Sequence, residues 1–337
     1  MDVFEKKTLK TSRGYTYTYY TSSGDSSRPT LLFQHGWPDN AAMWQKIAGP
    51  LRSLNHPIII PDMLGYDGTD KPTDYEEFKY EFITKDMVDI LDAEGSAKCI
   101  SIGHDWGSTA AGHLYCYFPD RVVGLVNINV TYSPPMRKRL DLETVNAMSE
   151  KNFGYPVFAY WHLFTEPDGP ALLKDNLDRL FNAMHGEGDA MKRFFCVPRA
   201  MRDYLEHKTN PDVSIRAYAR DPAFKKAFMD RMSRDGFESP QCWYRATVFG
   251  SQYECDKNLP EDRDKVNVPT LFIGCKDDYV CRPEAMYPSI QAGLLPHLEQ
   301  AELMDAAHWG VYEKPQEIAN TLEAWLKKTY GRSGGNL

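Results

Sequence analysis

The chain has no apolar run approaching the roughly 20 residues that cross a bilayer as a helix, so no membrane span is expected. It also lacks a positive excess. Its 47 acidic residues outnumber 39 basic ones, and the net charge of −8 argues against nucleic acid or an anionic membrane surface as a partner. The opening MDVFEKKTLK has none of the apolar core of a secretory leader, so the expected location is intracellular, in the cytoplasm. No internal repeat is visible. Seven cysteines (Cys99, Cys116, Cys196, Cys242, Cys255, Cys275 and Cys281) form an odd count with no CxxC pair. Reduced thiols in packing roles fit that pattern better than a disulfide framework or a zinc site, and no metal or cofactor is expected.

What is present is an ordinary globular composition, 42% hydrophobic and 26% charged, over 337 residues. That length suits one large domain, or one domain carrying an insertion, as a monomer or a homodimer. PTLLFQHG, HPIIIPDMLG, AKCISIGHDWG and VVGLVNINV are short runs rich in Ile, Val or Leu that end in turn residues. Strands buried on both faces of a parallel sheet look like this. Between the second and third, YEFITKDMVDILDAEG repeats Ile83, Met87, Ile90 and Leu91 at helical spacing, and Gly95 supplies a stop.

After about Tyr132 the texture changes. Residues 134–255 show no convincing strand, many aromatics, and helix-like stretches such as DYLEHKTNPD and AFKKAFMDRMSRDG. Strands are expected again at VPTLFIGCKDD and AELMDAAHW, followed by a helix over PQEIANTLEAWLKK with Ile318, Leu322, Trp325 and Leu326 on one face. The reading is a doubly wound α/β core, residues 1–133 and 256–337, interrupted by a helical insertion over 134–255. The tail GRSGGNL is expected to be disordered.

One serine is conspicuous by its absence. ISIGHDWGST has a strand, a Gly-flanked turn and the start of a helix, an arrangement that thrusts its central side chain above the sheet edge. Gly103 and Gly107 permit the close backbone approach, yet position 105 is aspartate. HGWPD, residues 35–39, directly follows an earlier strand. Asp277 and Asp278 follow a later one, and His308 follows the last. The order nucleophile, acid, histidine emerges along the chain.

These segments resemble the epoxide hydrolases of the α/β-hydrolase fold. The resemblance covers nearly the whole chain and rests on HGWPD, DMLGYDGTDKP, GHDWG, DDYVCRP and HWGVYEKP, with YWHLFTEP and CWYRA in the insertion. It implies a mostly parallel doubly wound sheet with an inserted helical cap. It assigns Asp105 as nucleophile, His308 as base and Asp278 as its acid, and the amides of Trp37 and Trp106 as an oxyanion hole. Tyr160 and Tyr244 fall where the family's two epoxide-binding tyrosines lie. The doubled Asp277-Asp278 leaves the acid ambiguous by one residue; the distance to Pro283 favours Asp278. Ser108 and Ala307 stand where glycine is common. Phe158 and Trp161, with Phe153, Tyr155, Phe194, Phe195, Trp37 and Trp106, suggest an apolar, aromatic-lined pocket for a small-molecule epoxide.

The chemistry explains the aspartate. Opening an epoxide is a displacement at an sp3 carbon, and a carboxylate is ionised at neutral pH without help from a base. The resulting alkyl ester has its carbonyl on the enzyme, where water can attack it. Two rivals share the fold. Haloalkane dehalogenases often place the acid after the strand that here reads VVGLVNINV, but NINVTYSPP contains no carboxylate. A non-catalytic ligand receptor would be expected to have lost a triad member, and none is lost.

Overall fold

In the computed structural model, residues 1–331 are described. The expected disorder of the tail therefore concerns residues that, from 332 onward, lie outside the described part. Eight strands form one sheet in the order β1-β2-β4-β3-β5-β6-β7-β8. They are β1 (Glu5–Lys10), β2 (Thr16–Ser22), β3 (Thr30–Gln34), β4 (Ile58–Pro61), β5 (Cys99–His104), β6 (Val122–Ile128), β7 (Thr270–Ile273) and β8 (Leu298–Gln300). β1 and β2 pair antiparallel, as do β2 and β4; every later pairing is parallel. The fully buried patterns of β3, β4 and β5 match their continuous apolar runs, since helices cover both faces.

On the core lie α1 (Gln45–Leu51), α2 (Tyr80–Ala93) and α3 (Trp106–Tyr117). α2 ends as its sequence indicates: Gly95 takes φ +65° and the Ser96 amide reaches back to the Leu91 carbonyl at 2.8 Å. Between β6 and β7 the chain forms α4 (Leu142–Phe153), α5 (Trp161–Thr165), α6 (Gly169–Asp175), α7 (Leu177–His185), α8 (Ala190–Phe195), α9 (Ala200–Leu205), α10 (Pro222–Asp235), α11 (Cys242–Val248) and α12 (Ser251–Asp256). This is the helical cap. After β7 come α13 (Tyr287–Gln291), α14 (Gly310–Glu313) and α15 (Pro315–Tyr330), the last burying Ile318, Leu322, Trp325 and Leu326.

Three expectations need correction. The last strand is Leu298–Gln300, ahead of AELMDAAHW, where only Met304 bridges to Cys275. As an edge strand it has a partner on one side and carries polar residues, so no apolar run marks it. DYLEHKTNPD is helical only to Leu205, because Asn210 and Pro211 follow too closely to support another turn. β1 and β2 also went unmarked: β1 is largely exposed and lysine-rich, and β2 reads TYTYYTS.

The start and end of the cap are fastened at one buried carboxylate. Asp256 accepts from the Met136 amide at 2.9 Å and from the Tyr117 hydroxyl at 2.8 Å, and meets His113 Nε2 at 3.1 Å. His113 and Tyr117 lie on α3, the helix that follows Asp105. Arg137 donates to the carbonyls of Asp256 and Leu259 and pairs with Asp264. The cap also touches the core directly: Trp243 Nε1 donates to the Leu64 carbonyl at 3.0 Å, and Arg231 to that of Pro38 at 2.5 Å.

Candidate active site

Asp105 lies between β5 and α3 with φ 55° and ψ −129°, a conformation that a non-glycine residue holds only when its surroundings enforce it. The enforcement is steric and local. A Cβ on Gly103 would lie 2.0 Å from the Gly107 carbonyl oxygen, and one on Gly107 would lie 2.1 Å from that of Gln34. Both glycines are thus required for the turn to close against β3. Ser108, the departure from glycine, is accommodated by hydrogen bonds: its hydroxyl lies 2.7 Å from the Gly103 carbonyl and accepts from the Ile128 amide at 3.2 Å.

The 35–39 loop comes from β3, next to β5. Its Trp37 amide donates to Asp105 Oδ1 at 2.7 Å. Gly36 makes that approach possible, since a Cβ there would fall 2.3 Å from the same oxygen and 2.6 Å from the Trp106 nitrogen. The Trp106 amide, at the first turn of α3, makes no hydrogen bond among the described residues and flanks the same carboxylate. The peptide between Trp37 and Pro38 is cis. His35 braces the loop from below, with Nδ1 2.9 Å from the Gly36 carbonyl and Nε2 accepting from the Met63 amide at 2.9 Å. Burial lowers its pKa to about 3, so it is a neutral structural residue. Asp39 ties the loop to the His308 segment, accepting from Trp309 Nε1 at 3.0 Å and the Tyr312 hydroxyl at 2.5 Å.

His308 bridges two carboxylates. Its Nδ1 lies 2.8 Å from Asp278 Oδ2 and its Nε2 3.4 Å from Asp105 Oδ2. Asp277 is exposed and Asp278 is fully buried, so the ring meets the second of the pair. Asp278 is saturated with donors: the amides of Val280 and Cys281 at 3.0 and 2.8 Å, and the Asn129 side chain at 2.7 Å. Burial alone would raise its pKa, but the His308 charge and these hydrogen bonds outweigh it and hold it at about 2. For His308 burial pushes downward, and the Asp278 charge with the bonds to Asp105 and Asp278 more than offsets it, so its pKa sits well above that of free imidazole.

Two residues here were not marked by sequence. Asn129, φ +64°, follows β6 at the place where the rival dehalogenase pattern puts its acid, and it donates to Asp278 instead. Cys281, assigned only to packing, brings its sulfur to the Asp105–His308 pair. A polar residue directly after a strand, and a thiol three residues beyond the acid, were the signals available.

Above this floor sit the cap residues. Tyr160 precedes α5 and Tyr244 lies on α11; their rings meet edge to face at 5.9 Å. Tyr244 stands edge-on to Trp106 at 4.9 Å and to Trp37 at 6.2 Å, the two residues whose amides flank Asp105. Phe164 packs on Trp37, Tyr160 and Tyr244 at 4.6, 4.9 and 5.0 Å. Each such contact adds about 0.5–1.5 kcal/mol beyond area burial. The Tyr160 hydroxyl approaches that of Tyr244 and the Trp161 ring N–H, and Tyr244 approaches the Trp106 ring N–H, but none of these is a formed hydrogen bond among the described residues. Burial and the Asp105 charge hold both phenols protonated. Trp161 packs against both Trp106 and Tyr244, at 5.5 and 5.4 Å, and Phe158 stacks on it at 4.4 Å.

Sheet, elbow and inserted helices are those of one fold family. A model of the alpha/beta hydrolase fold matches residues 29–315, and the chain belongs to that family. Bifunctional epoxide hydrolase 2 of Mus musculus is similar to it, 28% identical over 305 residues that span 89% of this chain and 52% of the relative. The chain thus spans about half the length of the mammalian relatives it matches. Epoxide hydrolase A of Mycobacterium tuberculosis is 26% identical over 314 residues, covering 90% of this chain and 92% of that one. A laboratory-evolved variant of potato epoxide hydrolase superimposes with a TM-score of 0.77 at 25% identity, covering 96% and 99% of the two chains. No helix among the described residues is long and apolar enough to cross a membrane.

Proposed function

We propose that this chain is an epoxide hydrolase, opening a small-molecule epoxide to a vicinal diol through an alkyl ester on Asp105. One observation carries the reading: a carboxylate on the elbow, 3.4 Å from an imidazole, lies near enough to two buried phenols for its charge to help keep both protonated. The named activity of the similar proteins supports it. We take residues 134–255 as the cap.

In the first step Asp105 attacks an epoxide carbon while the hydroxyls of Tyr160 and Tyr244 hydrogen-bond the ring oxygen. One phenol gives the departing alkoxide its proton. The positive charge of His308 matches the resting site, where it lies between Asp105 and Asp278. Alkylation removes the Asp105 charge, and with it part of what holds the His308 pKa up. The imidazolium then releases its proton, which restores the phenol through solvent. Neutral His308 takes a proton from water as that water attacks the ester carbonyl, and the oxyanion forms against the amides of Trp37 and Trp106. Collapse frees the diol and returns carboxylate and imidazolium. The partly occupied donor set explains why one amide already holds Asp105 in place while the other stays free.

The test is isotopic. A single turnover in oxygen-18 water should place the label in the Asp105 carboxyl and leave the first diol with an enzyme-derived oxygen. Label found only in the diol would mean direct attack by water and would sink the covalent reading.

A further inference from the structure

Cys281 lies in the loop after β7, three residues beyond Asp278. The other six cysteines are buried, whereas Cys281 is partly exposed. Its sulfur, one nitrogen of His308 and one carboxylate oxygen of Asp105 all lie within 4.8 Å of one another. Because His308 Nδ1 is taken by Asp278, the nitrogen facing the group is Nε2, already 3.4 Å from Asp105 Oδ2.

We propose that Cys281, His308 and Asp105 form a binding site for one thiophilic divalent cation, such as zinc or cadmium, and that its occupation blocks the active site. The donor set is sulfur, imidazole nitrogen and carboxylate oxygen, which suits zinc-like ions and not magnesium or calcium. Metal–ligand bonds of about 2.0–2.3 Å in a tetrahedron place neighbouring donors roughly 3.3–3.8 Å apart. The Asp105–His308 edge already has that length. The sulfur has to close by no more than about 1–1.5 Å, within reach of a side-chain rotation. Charge favours the same ion: a thiolate, a carboxylate and a neutral imidazole around a dication sum to zero in a buried setting.

Support behind the donors is also in place. Asp278 holds His308 Nδ1 and is itself held by Asn129 and two backbone amides, the carboxylate–histidine arrangement that orients an imidazole toward a metal. Three protein donors leave a fourth position toward the cap for water. An ion there would occupy the Asp105 oxygen and the His308 nitrogen together, so it would exclude any substrate that needs either.

Cadmium titration tests the site without any epoxide, so its failure leaves the hydrolase reading standing. Chelator-treated protein titrated with cadmium should develop a sulfur-to-cadmium charge-transfer band that saturates at one ion per chain. Cys281→Ser should lose the band. Asp278→Asn, which keeps all three donors, should weaken binding about 10–100-fold. In the unaltered protein, cadmium should protect Cys281 from iodoacetamide, read by peptide mass spectrometry. No saturable band, an unchanged band in Cys281→Ser, or undiminished alkylation of Cys281 with cadmium present would overturn the proposal.

Discussion

Core and cap hold their groups in different ways. In the core, Asp105, Asp278 and His308 are fixed through the backbone: a left-handed φ, glycines pressed against carbonyls, and four donors on one carboxylate. In the cap, the rings of Tyr160 and Tyr244 are placed mainly by packing on one another, on Phe164, and, for Tyr244, on Trp37 and Trp106. The difference teaches where each kind of precision is needed. In the proposed reaction, ester formation and breakdown recur at the same atoms for every substrate, which calls for locked groups. In the same proposal the position of an epoxide oxygen varies with substrate shape, which packing-held phenols on the cap would accommodate.

Substitutions can break or sharpen this division. The largest effect is expected from His308→Gln, which should leave alkylation intact and slow hydrolysis on the order of 10⁶-fold, by analogy with removal of a protease's catalytic histidine. Intact mass spectrometry should then show protein plus one substrate. Loss of both steps would mean the core does not separate them. Asp278→Asn should cost about 10⁴-fold in kcat, while exposed Asp277→Asn should change stability and turnover by no more than about 0.5 kcal/mol. A larger effect at Asp277 would reverse the assignment.

In the cap, Tyr160→Phe and Tyr244→Phe should each slow the pre-steady-state alkylation of Asp105 by about 10²-fold, corresponding to about 2.7 kcal/mol for a transition-state hydrogen-bond donor. The double variant should nearly abolish it, without simple additivity, because one phenol partly covers for the other. Alkylation at the parent rate would make both tyrosines packing residues.

A more modest effect than those on turnover is expected on stability. Asp278 has a folded pKa of about 2, below its ordinary value of 3.8, so its contribution is full above pH 4 and is lost as pH falls toward 2. The size is about 2 kcal/mol, with roughly half gone by about pH 3. Urea unfolding of the parent and Asp278→Asn at pH 5 and pH 3 should show the gap between them narrowing. A gap independent of pH would remove the ion pair as its source.

Sequence was most informative where one residue must do one thing. GHDWG is legible because Gly103 and Gly107 have no substitute at contacts of about 2 Å, and the buried strands are legible because both their faces are apolar. β8 and β1 were not, since edge strands need no such run. Asp278 could be preferred over Asp277 by spacing, but the bonds that distinguish them come from Asn129 and His308, remote in the chain. Cys281 escaped for the same reason: nothing local says that its sulfur meets Asp105.

The fastening at Asp256 sets the unit in which this cap could be exchanged with that of a relative. Cutting at 134 and 255 would move Met136 and Arg137 with the transplanted helices and leave Asp256, His113 and Tyr117 with the recipient. A foreign segment lacking Arg137 would lose its bonds to the Asp256 and Leu259 carbonyls and its pairing with Asp264, and so disturb the seam behind α3. Recombination in this chain therefore favours a module larger than the insertion, one that carries the outer face of α3 along with the helices it anchors.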